Sequence, residues 1–315
     1  MAVAQEATLR IRVLGSAAGG GSPQWNCRCA VCQQVREGAT APRTQLGLAV
    51  TADGGHRWVL LGASPDLRQQ LLQSPALAPR FAPRHSPIEA VVLTGADVDA
   101  VAGLLTLREG HAFGLYAPPP VHRALDASPI FDVLPAERVP RRSLAPSEPT
   151  RIADAAGTPT GVVVRAFHVP GKVPLYLEPP EGEPVVDASG DAVGLIVGLE
   201  NGDARFLFVP SCAAVPEELA ARLRGAPLLL FDGTLWTDDE LQVRQVGSKT
   251  GRRMGHVSMS GADGSLARLA PLGIDRKVFV HVNNTNPALL PDSAARRKVE
   301  AAGWQVAFDG MELRA

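Results

Sequence analysis

Apolar and polar positions alternate near the start of the chain, and short apolar runs recur after it. Residues 9–14 alternate and then become apolar, which is typical of a strand. The turn Asp53-Gly54-Gly55 between two apolar runs indicates a hairpin. In this half the pattern predicts strands over 9–14, 46–52, 57–62 and 90–94, with helices over 65–73 and 98–108.

The second half of the chain repeats the same plan, with strands first and strand–helix alternation after them. The pattern predicts strands over 162–167, 194–198, 206–209, 228–231, 277–282 and 304–308, with helices over 216–223, 262–270 and 293–302. Residues 118–120 and 135–160 are predicted to be surface connections. Two sheets packed together with helices outside satisfy this plan. We therefore predict an α/β sandwich of two mixed sheets, one domain over 1–315 whose halves meet near 120–160.

Charge and composition exclude several classes of protein. The 315 residues carry a formal net charge of -1, so nothing attracts the chain to nucleic acid or to an anionic membrane. No apolar run reaches the roughly 18 residues of a membrane helix. The first residues lack the basic and apolar regions of a signal peptide. We expect a cytoplasmic protein with no nucleic-acid partner and no membrane insertion.

Three of the four cysteines lie within six positions, at Cys27, Cys29 and Cys32. In a reducing compartment such a cluster favours a metal site over disulfides. Three thiolates suit tetrahedral zinc in a closed, structural site. The fourth ligand stays open between Cys212 and a residue near His281 and Asn284.

A glycine-rich stretch, Gly15 to Gly21, directly follows the first predicted strand. It lacks the Lys-Ser/Thr pair of a phosphate-binding loop, and no clear helix follows the glycines. The better interpretation is a backbone that passes close to another part of the molecule.

Acidic residues and a histidine follow two predicted strands. Asp97 and Asp99 come at a strand-to-helix junction, where carboxylates either point into a cleft or cap the helix. Taken alone, capping is the favoured interpretation. His281 ends an apolar strand, where strands open onto a site, although a lone histidine is as often a satisfied core residue.

A second acid and histidine are predicted to form an orienting pair with a catalytic role. Asp232 ends the buried strand over 228–231, and His256 follows a basic loop. We predict that both line a cleft. The loop contains Lys249, Arg252 and Arg253, which suit a substrate that carries carboxylates.

Longer motifs, taken together, resemble the family of coenzyme PQQ synthesis protein B, and the resemblance covers nearly the whole chain. It is carried by residues 13–21, 23–29 with Cys32, 63–66, 103–110, 231–236, 249–251, 254–256, 281–287 and 308–311. It implies a metallo-β-lactamase fold, an αβ/βα sandwich with a metal cleft at one sheet edge. It also implies a cytosolic enzyme on the route to pyrroloquinoline quinone (PQQ).

The resemblance implies one of two functions. The first is iron- and oxygen-dependent hydroxylation of the tyrosine of a Glu-Tyr-derived precursor. The second is a non-catalytic carrier that assists transport of PQQ or its precursor to the periplasm; direct transport is implausible without a membrane span. The expected partner is a small peptide-derived precursor, and a homodimer is compatible with either function.

The chain departs from the His-x-His-x-Asp-His pattern of the superfamily, which falls on residues 95–100. The family carries a histidine at position 100, and the resemblance implies that it ligates iron; here the residue is Ala100. Asp99 and His281 remain as ligands of a cleft metal, with Asp97 as a substitute. Too few histidines survive for a two-zinc hydrolase. We therefore expect Fe²⁺ to be weakly held and hydroxylation to be impaired.

Overall fold

Two seven-stranded sheets make up the computed structural model, which describes residues 8–146, 148–178, 192–200, 202 and 205–315. The strands of the first sheet are β1 (Arg10–Gly15), β2 (Gly47–Thr51), β3 (Trp58–Leu61), β4 (Ile88–Val92), β5 (Gly114–Ala117), β6 (Arg141–Ser143) and β14 (Glu312–Arg314). Their order is β14-β1-β2-β3-β4-β5-β6. Pairing is antiparallel from β14 to β3 and parallel from β3 to β6, so the sheet is mixed.

The second sheet mirrors this arrangement. Its strands are β7 (Pro149–Ala153), β8 (Pro159–His168), β9 (Val193–Leu199), β10 (Arg205–Val209), β11 (Leu228–Asp232), β12 (Arg276–Val280) and β13 (Trp304–Val306). Their order is β13-β12-β11-β10-β9-β8-β7, antiparallel from β7 to β10 and parallel from β10 to β13. The predicted class, α/β with two mixed sheets, is confirmed.

One core lies between the sheets, and two more lie on their outer faces. Successive residues of a strand point to opposite faces, so Val59 and Leu61 enter the central core while Trp58 and Leu60 enter an outer one. All of β11 is buried because helices cover the outer face of its parallel neighbours. Burying a side chain such as Phe231 stabilises the fold by about 1.5–3 kcal/mol.

Short helices cover the outer faces of the sheets. They are α1 (Ala30–Arg36), α2 (Leu67–Leu72), α3 (Val98–Val101), α4 (Pro119–Asp126), α5 (Glu217–Leu223), α6 (Glu240–Val243), α7 (Ser265–Leu269) and α8 (Ala294–Ala301). No helix within the described residues is long and apolar enough to cross a membrane.

The helix predicted over 98–108 is confirmed: it is α-helical in α3 and continues as a 3₁₀ helix over Ala102–Arg108. One expectation about local structure was wrong. The region taken as surface connections contains α4, β6 and β7, because prolines are tolerated in the first turn of a helix. The chain passes from the first sheet to the second between β6 and β7, and β14 returns to pair with β1.

Candidate active site

A cleft of about 810 Å³ opens where strands of both sheets end. The loop after β4 supplies Asp97 and Asp99, and the loop after β12 supplies His281. His256 lines the cleft from the second half of the chain. The cleft therefore collects groups that are distant in sequence, with acids on one side and imidazoles on the other.

His281 forms the direct link between the two halves. Its Nε2 lies 3.0 Å from Asp99 Oδ2, and its Nδ1 lies 2.8 Å from Thr234 Oγ1. Burial alone would lower the pKa of His281, but the bond to Asp99 outweighs it and raises that pKa. Burial opposes ionisation of Asp99, yet the bond from His281 lowers the pKa of its carboxyl group. The backbone of His281 has a φ of 56°, in a region that disfavours a residue with a side chain.

His256 stands beside His281 and is held from behind. The two rings stack at 24°, with their centroids 5.1 Å apart. His256 Nδ1 lies 2.7 Å from Asp232 Oδ2. Asp232 is fully buried and does not line the cleft, because its carboxylate sits behind His256. The expectation that both residues line the cleft was therefore wrong for Asp232.

The hydroxyl of Thr234 lies between the acid and the two imidazoles. Its Oγ1 is 2.6 Å from Asp232 Oδ1, 3.1 Å from His256 Nδ1 and 2.8 Å from His281 Nδ1. The atoms of Asp232, His256 and His281 that could bind a metal lie within 4.8 Å of one another. The Thr234 hydroxyl, however, occupies the space beside the Nδ1 atoms of the two histidines. On the edge of the His281 ring away from this hydroxyl, Nε2 meets Asp99.

Asp97 and Ala100 flank Asp99 in the cleft. Asp97 stands at the N-cap position of α3 and Asp99 in its first turn, as the capping interpretation predicted, although the Asp97 side chain makes no capping hydrogen bond. Burial and the negative charge of Asp99 raise the pKa of Asp97. Ala100 presents only a methyl group to the cleft, as its identity requires.

The glycine-rich loop makes the close approach that its composition indicated. A Cβ on Gly19 would lie 3.2 Å from Asp99 Oδ2, and a Cβ on Gly15 would lie 2.1 Å from the carbonyl oxygen of Gln45. The loop therefore lets the backbone pack against the carboxylate of Asp99.

Of the three basic residues predicted to bind substrate, Lys249 alone lines the cleft. Arg252 is exposed at the surface. Arg253 pairs with Glu178 at 2.8 Å, so its charge is already neutralised. Sequence reasoning missed Lys172, which lines the cleft and lies 3.0 Å from the same glutamate. No local motif marks Lys172, although its partner Glu178 lies in the same connection between β8 and β9.

The three clustered cysteines converge as one group of sulfur atoms. The Sγ atoms of Cys27, Cys29 and Cys32 lie within 4.8 Å of one another. Burial raises the pKa of Cys29 to about 12. Burial also opposes ionisation of Cys27, but hydrogen bonds, first from the backbone of Cys29, lower its pKa. Binding of a cation here must therefore displace protons.

One of the two places considered for a fourth ligand lies at this cluster. Asn284 Nδ2 is 3.2 Å from Cys32 Sγ, and the Asn284 carbonyl oxygen is 3.3 Å from Cys29 Sγ. Cys212 lies outside the group, where its thiol bonds to the carbonyl oxygen of Ala214. Asn284 also lines the cleft, so the cysteine loop contacts the segment that follows His281.

Comparison with known proteins places the chain in a family. The family model described as beta-lactamase superfamily domain matches residues 57–282. Coenzyme PQQ synthesis protein B of Methylobacterium nodulans is 52% identical over 305 residues, which are 96% of this chain and 98% of that protein. The protein of the same name from Rhodopseudomonas palustris strain TIE-1 is 50% identical over 97% of this chain and 99% of that protein. The chain belongs to the coenzyme PQQ synthesis protein B family.

Solved structures agree with this assignment. The crystal structure of zinc-bound PqqB from Methylobacterium extorquens is similar with a TM-score of 0.91 at 49% identity, covering 96% of this chain and 99% of that one. A diphosphatase of the PhnP family has a TM-score of 0.67 at 20% identity, covers 98% of this chain and 97% of its own, and shares the fold alone. The two mixed sheets with outer helices are therefore the metallo-β-lactamase fold, as the resemblance implied.

Proposed function

We propose that the chain acts in PQQ biosynthesis as an iron- and oxygen-dependent hydroxylase of the tyrosine of a Glu-Tyr-derived precursor. Family membership supports the pathway. The observation that carries the chemistry is the convergence of Asp99 with two stacked imidazoles, His256 and His281, at one cleft.

The residues of the cleft fit a ferrous ion. Two histidines and one carboxylate with open positions are the donor set of non-haem iron oxygenases. Each imidazole is hydrogen-bonded behind at Nδ1, His256 to the carboxylate of Asp232 and His281 to the hydroxyl of Thr234, as is typical of metal ligands. We assign His256 to the metal because its ring stacks on that of His281 and its Nδ1 is bonded to Asp232, which leaves Nε2 as the nitrogen that can bind a cation.

The methyl group at Ala100 leaves this site with fewer ligands than the family implies. We expect the iron to be weakly held for that reason, with Asp97 as the nearest additional carboxylate. Bound iron would supply oxygen activation next to the substrate ring. Lys249 would attract the carboxylates of the precursor, since it lines the cleft. The glycine-rich loop would hold Asp99 in place through Gly19.

We also assign zinc to Cys27, Cys29 and Cys32. The crystal structure of the Methylobacterium extorquens relative is zinc-bound, and the three sulfur atoms here are close enough to share one tetrahedral cation. The role is structural, because the ion would tie the cysteine loop to Asn284. Thiol ligands suit a reducing compartment, so we place the protein in the cytoplasm.

The experiment that tests the hydroxylase is aerobic turnover of a Glu-Tyr dipeptide with ferrous ion and ascorbate, followed by mass spectrometry. We expect the product to gain one oxygen atom, slowly in the unaltered protein. His281→Ala should abolish the reaction. His56→Ala is the matched control, because His56 is an exposed histidine in the turn between β2 and β3. Binding of the dipeptide without any oxygen gain would contradict the hydroxylase and favour the carrier.

A further inference from the structure

We propose that Thr234 is a positioning residue that places the Nδ1 proton of His281 and so directs the Nε2 of that ring into the cleft. The inference rests on the proposed function in one respect, namely that Nε2 is the nitrogen that binds the metal. Thr234 follows β11 by two residues and is almost fully buried.

Each carboxylate oxygen of Asp232 accepts two hydrogen bonds. Its Oδ1 accepts from the backbone N–H of Thr234 at 3.0 Å and from the Thr234 hydroxyl at 2.6 Å. Its Oδ2 accepts from the backbone N–H of Cys212 at 2.9 Å and from His256 Nδ1 at 2.7 Å. An ionised carboxylate only accepts, so each of these four groups donates its proton to Asp232.

The hydroxyl proton of Thr234 is therefore committed to Asp232. A hydroxyl carries one proton and two lone pairs, and its shortest contact is the 2.6 Å contact to the carboxylate. The lone pairs of Oγ1 then accept, and His281 Nδ1 at 2.8 Å must be the donor. With Nδ1 protonated, Nε2 of His281 is the nitrogen that gives up its proton to a metal.

Both imidazole rings turn their Nδ1 edge toward the Thr234 hydroxyl and the opposite edge toward the cleft. His256 Nδ1 lies 3.1 Å from the same hydroxyl, and the two rings are inclined by only 24°. Their Nε2 atoms consequently point to one side. The carbonyl oxygen of His281, at 3.0 Å, is the second acceptor within reach of the Thr234 hydroxyl proton, but the charged oxygen of Asp232 is closer, at 2.6 Å.

The test compares Thr234→Val, which keeps the shape and removes the hydroxyl, with Thr234→Ser, which keeps the hydroxyl. Metal-free protein labelled with ¹⁵N-histidine is examined by NMR for slowly exchanging Nδ1–H resonances. In the unaltered protein and in Thr234→Ser we expect such resonances from His256 and His281. In Thr234→Val the His281 resonance should disappear, while that of His256 persists because Asp232 still accepts from it.

Anaerobic titration with ferrous ion supplies the second measurement. We expect Thr234→Val to lower the affinity by about 10- to 100-fold, the usual effect of losing a hydrogen bond behind a metal ligand. Thr234→Ser should restore it. A persistent His281 Nδ1–H resonance in Thr234→Val would overturn the proposal, as would a valine variant that binds ferrous ion as tightly as the serine variant.

A failure of the proposed metal site can be distinguished from a failure of the Thr234 proposal. If His281→Ala binds ferrous ion as tightly as the unaltered protein, the metal assignment fails. The NMR comparison does not depend on bound metal, so loss of the His281 resonance in Thr234→Val would still support the proton placement.

Discussion

Replacing Asp232 by asparagine should change which ring nitrogen carries the proton in an imidazole of the cleft. The carboxylate is fully buried and accepts four hydrogen bonds, two at each oxygen. An amide has one oxygen, so its NH₂ group must face one of these two pairs of donors. If it faces the Cys212 side, His256 must accept at Nδ1 and carry its proton at Nε2. If it faces the Thr234 side, the hydroxyl must donate elsewhere, either to His281 Nδ1 at 2.8 Å or to the carbonyl oxygen of His281 at 3.0 Å.

The size of the effect follows from these contacts. In either orientation one buried backbone N–H, of Cys212 or of Thr234, faces the NH₂ group and loses its acceptor. An unsatisfied buried donor costs about 1–3 kcal/mol of unfolding free energy. Where Nδ1 of an imidazole becomes the acceptor, that ring presents N–H rather than a lone pair to the cleft, and we expect ferrous affinity to fall by about 10- to 100-fold.

Urea unfolding of the metal-free protein and anaerobic ferrous titration measure the two effects separately. Asp239→Asn is the matched control, because Asp239 is exposed seven residues further along the chain and should change neither quantity. The reasoning would be refuted by an Asp232→Asn variant that binds ferrous ion as tightly as the unaltered protein.

Three further predictions concern the other polar clusters. Cys32→Ser should lower bound zinc, measured by elemental analysis, and reduce the urea midpoint, because metal affinity is coupled to folding; full zinc retention would contradict the assignment. Hydrogen bonding from Arg253, with Lys172 beside it, lowers the pKa of Glu178 from 4.5 to about 2. This carboxylate therefore stabilises the fold above pH 4.5, and the stabilisation is lost as the pH falls through about 2. The deficit of Glu178→Gln in urea unfolding should thus be smaller at low pH than at neutral pH, and an equal deficit at both would be inconsistent with the pairing. Ala100→His should raise ferrous affinity by at least about 10-fold and increase hydroxylation with it; an unchanged affinity would show that position 100 does not contact the metal.

Hydrophobic periodicity was sufficient for most of the strands because each is a short apolar run between turn residues. The strand predicted over 228–231 corresponds to β11, and the strand predicted over 277–282 overlaps β12. The helix α4 was missed because its prolines were interpreted as a connection, whereas they occupy the first turn. The hydrophobic pattern alone did not distinguish a proline-rich connection from a helix that begins with prolines.

The cleft was less accessible to sequence reasoning, since it depends on how strands pair. β11 and β12 run parallel with Asp232 opposite Val280, so Thr234 and His281 end up beside each other. A sequence shows both strand ends but not that they are neighbours. The pairing of Arg253 with Glu178 is likewise a tertiary contact.

The cysteine cluster, unlike the cleft, could be predicted from the sequence. Three ligand-type residues within six positions converge through local chain geometry, so the spacing alone indicated their meeting. Asn284 joins them from the loop after β12, more than 250 residues away in sequence, and only the structure shows that contact.

The measurement that tests the central claim most directly is a crystal structure of the ferrous-loaded protein, prepared without oxygen, with anomalous data collected at the iron edge. We predict an iron peak within bonding distance of Asp99 and of the Nε2 atoms of His256 and His281. An iron peak away from these three residues, or saturating ferrous ion that leaves no peak in the cleft, would contradict the assignment of this cleft as an iron site.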